Sequence, residues 1–331
     1  MTALTQAAII GGGVIGAGWA ARLVANGVNV RIYDPSPTAA QQIQRVLSQS
    51  RKASAQLYQT PLPQEGQVTF VDTIATAVHD AQLIIESVPE RLADKQAVYV
   101  NIEAAAQPDA IIASSTSGIL PSELQSGMQH PGRFLVAHPF NPVYLLPLVE
   151  LVAGQATDPT TITRAEALYS HLGMKALIVK KEIAAFIADR LLEAVWREAL
   201  WLVKDGIATT EDVDDAVRFG FGLRYAQMGI FDTYRVAGGP AGMRHFMAQF
   251  GPCLQWPWSR LTDVPEFDDE LVELIASQSD AQSGHLTIAE LEQIRDDNLV
   301  AILRALKDNA WGAGKTLADY EQRLAANRQT Q

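Results

Sequence analysis

Cysteine is nearly missing from the 331-residue chain, with Cys253 alone. A single thiol excludes an intrachain disulfide framework and a thiolate-ligated metal cluster. Positive charge is also short: 26 Lys and Arg face 37 Asp and Glu, for a formal net charge of −11. Nucleic acid and anionic membrane surfaces both require clustered cations, so neither is expected as a partner. Long apolar runs are scarce as well. The uncharged N-terminal stretch ends at Arg22 and lacks the basic leader of a secretion signal. No later run reaches the roughly 18–20 apolar residues of a membrane span, so the cytoplasm is the expected compartment. His79, His130, His171, His245 and His285 show no ligand spacing, and no metal is expected.

What remains is a composition of 48% hydrophobic and 19% charged residues, ordinary for a soluble globular protein. At about 150 residues per domain, the length predicts two domains. Apolar runs at 7–10, 28–33, 68–71, 83–88, 110–113, 134–137, 148–152 and 175–179 read as buried strands. Helical patterns at 14–26, 37–57 and 93–106 fall between them. Continuous apolar strands separated by helices predict a mostly parallel sheet covered on both faces. Beyond residue 181 the pattern turns helical, with one long helix expected over 182–204. Breaks follow at Gly238–Pro240, Gly251–Pro252 and Trp256–Trp258. The expected division is therefore an α/β domain at 1–181 and an all-helical domain at 182–331. Residues 1–180 carry 11 basic and 13 acidic side chains, and 181–331 carry 15 and 24, so the acid excess belongs to the second half.

Gly11-Gly12-Gly13-Val14-Ile15-Gly16 fits the GxGxxG pattern, with a strand entering it, a helix leaving it and a second strand following. In such a Rossmann-like turn, Gly11 permits the tight bend and Gly13 the approach of backbone to a pyrophosphate. Gly16 lets helix and strand pack closely, and the phosphates sit on free N–H groups at the helix N-terminus. Asp34 ends the second strand, 18 residues past Gly16, where a carboxylate hydrogen-bonds ribose hydroxyls and repels a 2′-phosphate. The reading is NAD rather than NADP, although the motif alone does not separate NAD from FAD.

Two more stretches carry chemistry. Ser114-Ser115-Thr116-Ser117-Gly118 follows a strand, and His138-Pro139-Phe140-Asn141-Pro142 leads into Leu148-Val149-Glu150-Leu151-Val152. A histidine at a strand end with a glutamate inside the next apolar strand suits general-base catalysis. The carboxylate orients the imidazole and stabilises its protonated form. An unpaired charge at Glu150 would be costly, so it needs a partner. The same two residues also fit a purely structural pair in a core.

Taken in order, GGGVIG, ESVPE (residues 86–90), SSTSG, HPFNP and LVELV resemble the 3-hydroxyacyl-CoA dehydrogenase family. Ala185-Phe186-Ile187-Ala188-Asp189-Arg190-Leu191-Leu192 is similar to the GFIxNRLL segment that opens that family's helical domain. The resemblance implies a Rossmann-like domain, a helical domain that forms a homodimer, and an active site in the cleft between the domains. It implies His138 as general base with Glu150 as its partner, and Ser117 and Asn141 near the substrate oxygen and the nicotinamide. Glu90 and Lys95 match positions that contact the nicotinamide-ribose side of the cofactor. The reaction implied is hydride transfer to NAD from a secondary alcohol, with Ser117 holding the alcohol oxygen.

The family includes acyl-CoA enzymes and relatives acting on small polar hydroxy acids. CoA-using relatives hold the nucleotide phosphates largely through a lysine-rich hairpin after the second strand. Residues 36–60 here offer only Arg45, Arg51 and Lys52, poor bait for a polyanion. The second half carries Trp196, Trp201, Trp256, Trp258 and Trp311, and 15 of the 24 aromatic residues. An aromatic, acidic site suits a quaternary ammonium, which ring faces hold without N–H hydrogen bonds. Candidates for the ammonium end are Phe140, Tyr144, Trp196, Phe219 and Tyr225; Arg190, Arg197 and Arg224 are candidates for a substrate carboxylate. The same aromatics also fit helix packing and a dimer core. Asp189 departs from the family's Asn. A carboxylate there favours a cation or a protonated His138, or serves a plain salt bridge. An L-gulonate or 3-hydroxyacyl-CoA enzyme is the nearest rival, and a crystallin-like NAD-binding structural protein is the rival of another class.

Overall fold

The computed structural model describes residues 4–226, 229–237, 240, 245–248, 259, 268–283 and 285–329. Cys253, Trp256 and Trp258, and the breaks at Gly238, Gly239, Gly251 and Pro252, lie outside them. Two compact units divide the chain: residues 1–187 with 293–331, and residues 188–292.

The first unit is built on eight strands: β1 (Gln6–Ile10), β2 (Asn29–Tyr33), β3 (Val68–Phe70), β4 (Leu83–Glu86), β5 (Ile111–Ser114), β6 (Phe134–Pro139), β7 (Leu148–Val152) and β8 (Lys175–Val179). They form one sheet in the order β3-β2-β1-β4-β5-β6-β7-β8. Every neighbouring pair is parallel except β6 with β7. Helices α1 (Val14–Ala25), α2 (Ala39–Leu57), α3 (Ile74–Val78), α4 (Leu92–Glu103), α5 (Pro121–Gln125) and α6 (Pro159–His171) connect them. Because strand side chains alternate, each central strand feeds two cores. Ala7, Ile9, Leu83, Ile85, Ile111 and Ala113 join Trp19 and Leu23 of α1 on one face. Ala8, Ile10, Ile84 and Ile112 join Tyr99 and Ile102 of α4 on the other. This is the expected doubly covered, mostly parallel Rossmann-like sheet, with its topological switch between β1 and β4.

The second unit is helical: α7 (Ala188–Lys204), α8 (Thr210–Ala216), α9 (Gly222–Tyr225), α10 (Gly229–Ala237) and α11 (Asp269–Ser283). The capping box of Thr209 and Asp212 fixes the start of α8. Helix α12 (Ile288–Asp308) begins in this unit, and its later turns and α13 (Gly312–Gln329) belong to the first.

Two features depart from the sequence expectation. The long helix starts at Ala188 rather than at residue 182, because Ala185 and Phe186 take left-handed backbone angles (φ 59° and 51°) that no α-helix accommodates. Residues 293–331, expected with the helical domain, instead complete the first unit. Val300, Leu303 and Leu317 enter the core beneath α1 and α2. Tyr320 gives its hydroxyl to Asn26 Oδ1 at 2.6 Å, and Glu321 accepts the Gln59 backbone N–H at 2.6 Å. Their helical pattern resembled that of the helices before them, and only the packing separates the two groups.

Candidate active site

Strands β1, β2, β4, β5 and β6 run parallel, so the loops at their carboxyl ends open along one edge of the sheet. Those loops carry Gly11–Gly13, Asp34, Ser87–Glu90, Ser115–Gly118 and Phe140–Asn141, the edge where α/β sheets bind ligands.

Gly11 adopts φ 101°, and a Cβ there would lie 2.5 Å from the Ser87 carbonyl oxygen of the β4 loop. A Cβ on Gly16 would lie 1.9 Å from the Gly11 carbonyl oxygen, so both glycines are forced by close backbone approach. Gly13 is different, since a Cβ there would meet no protein atom within 4 Å. It is the N-cap of α1 and makes no side-chain capping bond, and Val14 in the first turn is exposed. Uncapped N–H groups beside an open glycine fit a pyrophosphate. Asp34 accepts the Gly12 N–H at 2.5 Å and the Ser36 N–H at 2.7 Å, which fixes its carboxylate at the end of β2. A carboxylate offers about four acceptor sites, so lone pairs remain for ribose hydroxyls. These residues fit NAD.

His138 and Glu150 sit directly opposite each other in the antiparallel β6–β7 ladder. Nδ1 of His138 lies 2.9 Å from Glu150 Oε2, and both side chains are buried. Glu150 Oε1 accepts the Ile187 backbone N–H at 3.0 Å. The left-handed pair Ala185–Phe186 makes that bond possible and carries the fully buried Phe186 ring to 5.6 Å from the imidazole. Phe140 meets the imidazole from another side, edge-on at 4.8 Å. Asn141 and Ser117 are exposed at the same sheet edge.

Glu90 accepts the Ser117 backbone N–H at 3.0 Å and the Thr116 hydroxyl, and pairs with Lys95 at 3.2 Å. Partial burial pushes its carboxyl up, but Thr116, Lys95 and the Ser117 N–H outweigh that and hold it below the usual glutamate range. Lys95, expected at the cofactor, is 1% exposed, with Nζ 2.8 Å from Glu86 and 3.2 Å from the Val88 carbonyl. Tyr144, a candidate for the ammonium end, is likewise a core residue whose hydroxyl goes to buried Asp296.

Asp189, Arg190, Trp196, Phe219 and Tyr225 all belong to the second unit. Asp189 and Tyr225 are half-buried, whereas Arg190, Trp196 and Phe219 are exposed. Of the two other arginine candidates, Arg197 is half-buried and Arg224 exposed. Burial, followed by a hydrogen bond to Tyr234, pushes the Tyr225 phenol above its ordinary value. Among the described residues, no group of three or more His, Cys, Asp and Glu is placed to hold a metal, and no helix is long and apolar enough to cross a membrane.

Sequence reasoning missed Glu86, Thr116, Phe186 and the Ile187 N–H. Glu86 carries the signal that had singled out Glu150, a carboxylate at a strand position among apolar residues. The backbone donor at Ile187 has no sequence signal.

A switch-point glycine turn, an aspartate at the end of β2 and a buried His–Glu pair on one sheet edge define a nicotinamide-dependent dehydrogenase of the Rossmann type. Residues 6–183 match the 3-hydroxyacyl-CoA dehydrogenase NAD-binding domain, and residues 186–264 match the C-terminal domain of the same enzymes. The chain belongs to the 3-hydroxyacyl-CoA dehydrogenase family and is an NAD-dependent oxidoreductase. It is 59% identical to the L-carnitine dehydrogenase of Mesorhizobium japonicum, over 98% of this chain and 91% of that one. It is 61% identical to the L-carnitine dehydrogenase/betainyl-CoA thioesterase of Ruegeria pomeroyi, covering 97% of this chain but only 66% of that longer protein. Among solved structures it resembles a 5-formyl-3-hydroxy-2-methylpyridine 4-carboxylic acid 5-dehydrogenase, an NAD+-dependent dismutase. The TM-score is 0.79 at 32% identity, over 92% of this chain and 99% of that one.

Proposed function

We propose that the chain oxidises the 3-hydroxyl of L-carnitine to the ketone of 3-dehydrocarnitine, with His138 as general base. The observation that carries the mechanism is the buried His138–Glu150 pair at 2.9 Å. With Nδ1 given to Glu150, proton transfer falls to Nε2, which takes the substrate hydroxyl proton as the C–H bond breaks. Glu150 stabilises the resulting imidazolium and is itself held by the Ile187 N–H. Bound NAD supplies the hydride acceptor. Ser117 holds the alcohol oxygen in near-attack geometry, and Asn141 lies beside the same groups.

The substrate rests on relatives at 59% and 61% identity that are named for L-carnitine. Two physical features agree. Arg51, one of three cations available for CoA phosphates after β2, is committed to Glu65 by hydrogen bonds of 2.8, 2.9 and 3.0 Å. The helical second half is acid-rich and presents exposed aromatic rings at Trp196 and Phe219, which suit a trimethylammonium group. The working form is a cytoplasmic homodimer joined through the helical unit.

The test is NADH formation by the protein and by His138→Gln, with L-carnitine, L-gulonate and 3-hydroxybutyryl-CoA compared. L-Carnitine is expected to turn over fastest. His138→Gln should lose about 100-fold or more in kcat, the scale of general-base catalysis, while binding NAD normally. Brisk turnover of a competitor with L-carnitine inert would overturn the substrate and leave the mechanism standing. Normal turnover by the variant would overturn the base. Inertness toward every alcohol with NAD binding intact is the crystallin-like outcome.

A further inference from the structure

Between His138 and Glu150 the chain leaves the sheet for a loop, residues 140–147, and Val143, Tyr144 and Leu145 of that loop are buried. A loop out of reach of water must find other partners for its backbone groups. The Leu145 and Leu146 N–H groups turn back to the Pro142 carbonyl, at 3.0 and 2.9 Å. The Val143 and Leu146 carbonyls are both taken by one side chain of the cofactor helix. Arg22, in the last turn of α1, donates from Nε to Val143 O at 2.7 Å and from one terminal nitrogen to Leu146 O at 3.2 Å. Its other terminal nitrogen donates to Leu172 O, at the end of α6, at 3.1 Å.

The guanidinium is 4% exposed, and among the described residues no carboxylate pairs with it. Burial pushes its pKa below the usual arginine value against the opposing Tyr58 and Tyr320 phenols, yet an arginine in a protein stays charged. A buried charge gives weak net stability compared with apolar packing. What the planar fork does supply is three aimed donors, which join three segments at fixed distances. Val143 also lies so close to α1 that a Cβ on Gly18 would be 2.9 Å from its Cγ2. A second tether is the Tyr144 hydroxyl, given to buried Asp296 of α12.

The segments joined in this way carry the reacting parts. Helix α1 begins at the glycine turn, and its first residue, Val14, is about 12 Å along the helix from Arg22. The loop begins at Phe140, directly after the strand that carries His138.

We propose that Arg22 is a positioning residue that locks the β6–β7 loop, with Phe140 and Asn141, to the cofactor helix. It thereby sets the distance between bound NAD and the His138 imidazole. This rests on the reading of His138 as the base.

The experiment compares the parent with Arg22→Met and Arg22→Lys, with thermal unfolding as the check on folding. Hydrogen exchange by mass spectrometry reads whether the loop is held, and calorimetry with NAD reads whether the glycine turn is intact. Turnover of a carbinol-deuterated alcohol, the one the parent oxidises fastest, reads whether hydride transfer has slowed. In Arg22→Met the amides of 140–147 should exchange about tenfold faster, with those of β1 and β4 unchanged. NAD affinity should be unaltered. The kcat should fall about tenfold with a larger deuterium isotope effect, because a reacting pair held loosely spends less time in near-attack geometry. Arg22→Lys keeps the charge and three protons but loses the fork, so it should fall between the two in exchange and in kcat. If Arg22→Met does not fold, the same losses in Arg22→Lys with normal NAD affinity carry the test.

Parent-like exchange and kcat in the folded variants would overturn the proposal. A faster-exchanging loop with unchanged kcat would also overturn it, leaving Arg22 a stabilising residue only. So would a parallel fall in NAD affinity, which would make Arg22 a support of the glycine turn. A parent inert toward every alcohol would overturn the His138 reading and this proposal together, whereas an active parent with unaffected variants would overturn this proposal alone.

Discussion

At the scale of single residues, Ala185 is at odds with its backbone. The related segment of the family begins with glycine, and here alanine takes φ 59° with Phe186 following at 51°. A left-handed conformation costs an alanine roughly 1–2 kcal/mol, and glycine gives back about 0.4–1 kcal/mol through its freer unfolded chain. Ala185→Gly is therefore expected to stabilise the first unit by roughly 0.5–1 kcal/mol, read as a higher urea midpoint with an unchanged slope. A lower midpoint would show that the turn is unstrained. What was legible at this scale followed burial logic. Glu150 was legible because an apolar strand cannot leave a carboxylate unpaired, and His138 stood opposite in a recognisable strand. The partners of Lys95 were not legible: the resemblance implies a cofactor contact there, and only the fold shows its ammonium enclosed by Glu86, Val88 and Glu90.

At the scale of elements, the turn between β1 and α1 separates two uses of glycine. Gly16 lies where a methyl would collide with the Gly11 carbonyl at 1.9 Å, whereas a methyl on Gly13 meets no protein atom within 4 Å. Gly16→Ala must push α1 away from β1, and Gly13→Ala need move nothing in the protein. The expected outcome is opposite patterns in two measurements. Gly13→Ala should keep the parent melting temperature and bind NAD at least about tenfold more weakly, since its methyl occupies the approach to the pyrophosphate. Gly16→Ala should lower the melting temperature itself. Normal NAD affinity in Gly13→Ala would remove that glycine from the cofactor site. The strands were legible because a parallel sheet buried on both faces demands continuous apolar runs, and all eight of those runs hold strands. The start of α7 was not, because a left-handed turn made by alanine and phenylalanine lacks the glycine that normally announces one.

At the scale of the whole molecule, the helical unit stands out for how little it buries. Among its described residues only Leu200, Val203, Thr233 and Leu271 are buried, while Leu191, Leu192, Val195 and Trp196 of α7 are each about half exposed. Residues 191 and 195, and 192 and 196, are neighbours one turn apart, so they form a continuous apolar strip along the helix. Strips of this kind are rare on monomers and are matched most simply by the same strip on a second copy across a two-fold axis. Two chains of net charge −11 repel each other, but at physiological salt that repulsion is screened beyond about 8 Å, and apolar contact decides the outcome. Light scattering should therefore give the mass of two chains. Leu191→Glu with Val195→Glu should shift the protein to single chains. NAD affinity should persist, because the glycine turn and Asp34 lie wholly in the first unit. A parent protein that runs as a monomer at micromolar concentration would leave the strip without a second copy to cover it. A double variant that stays dimeric would move the interface off α7.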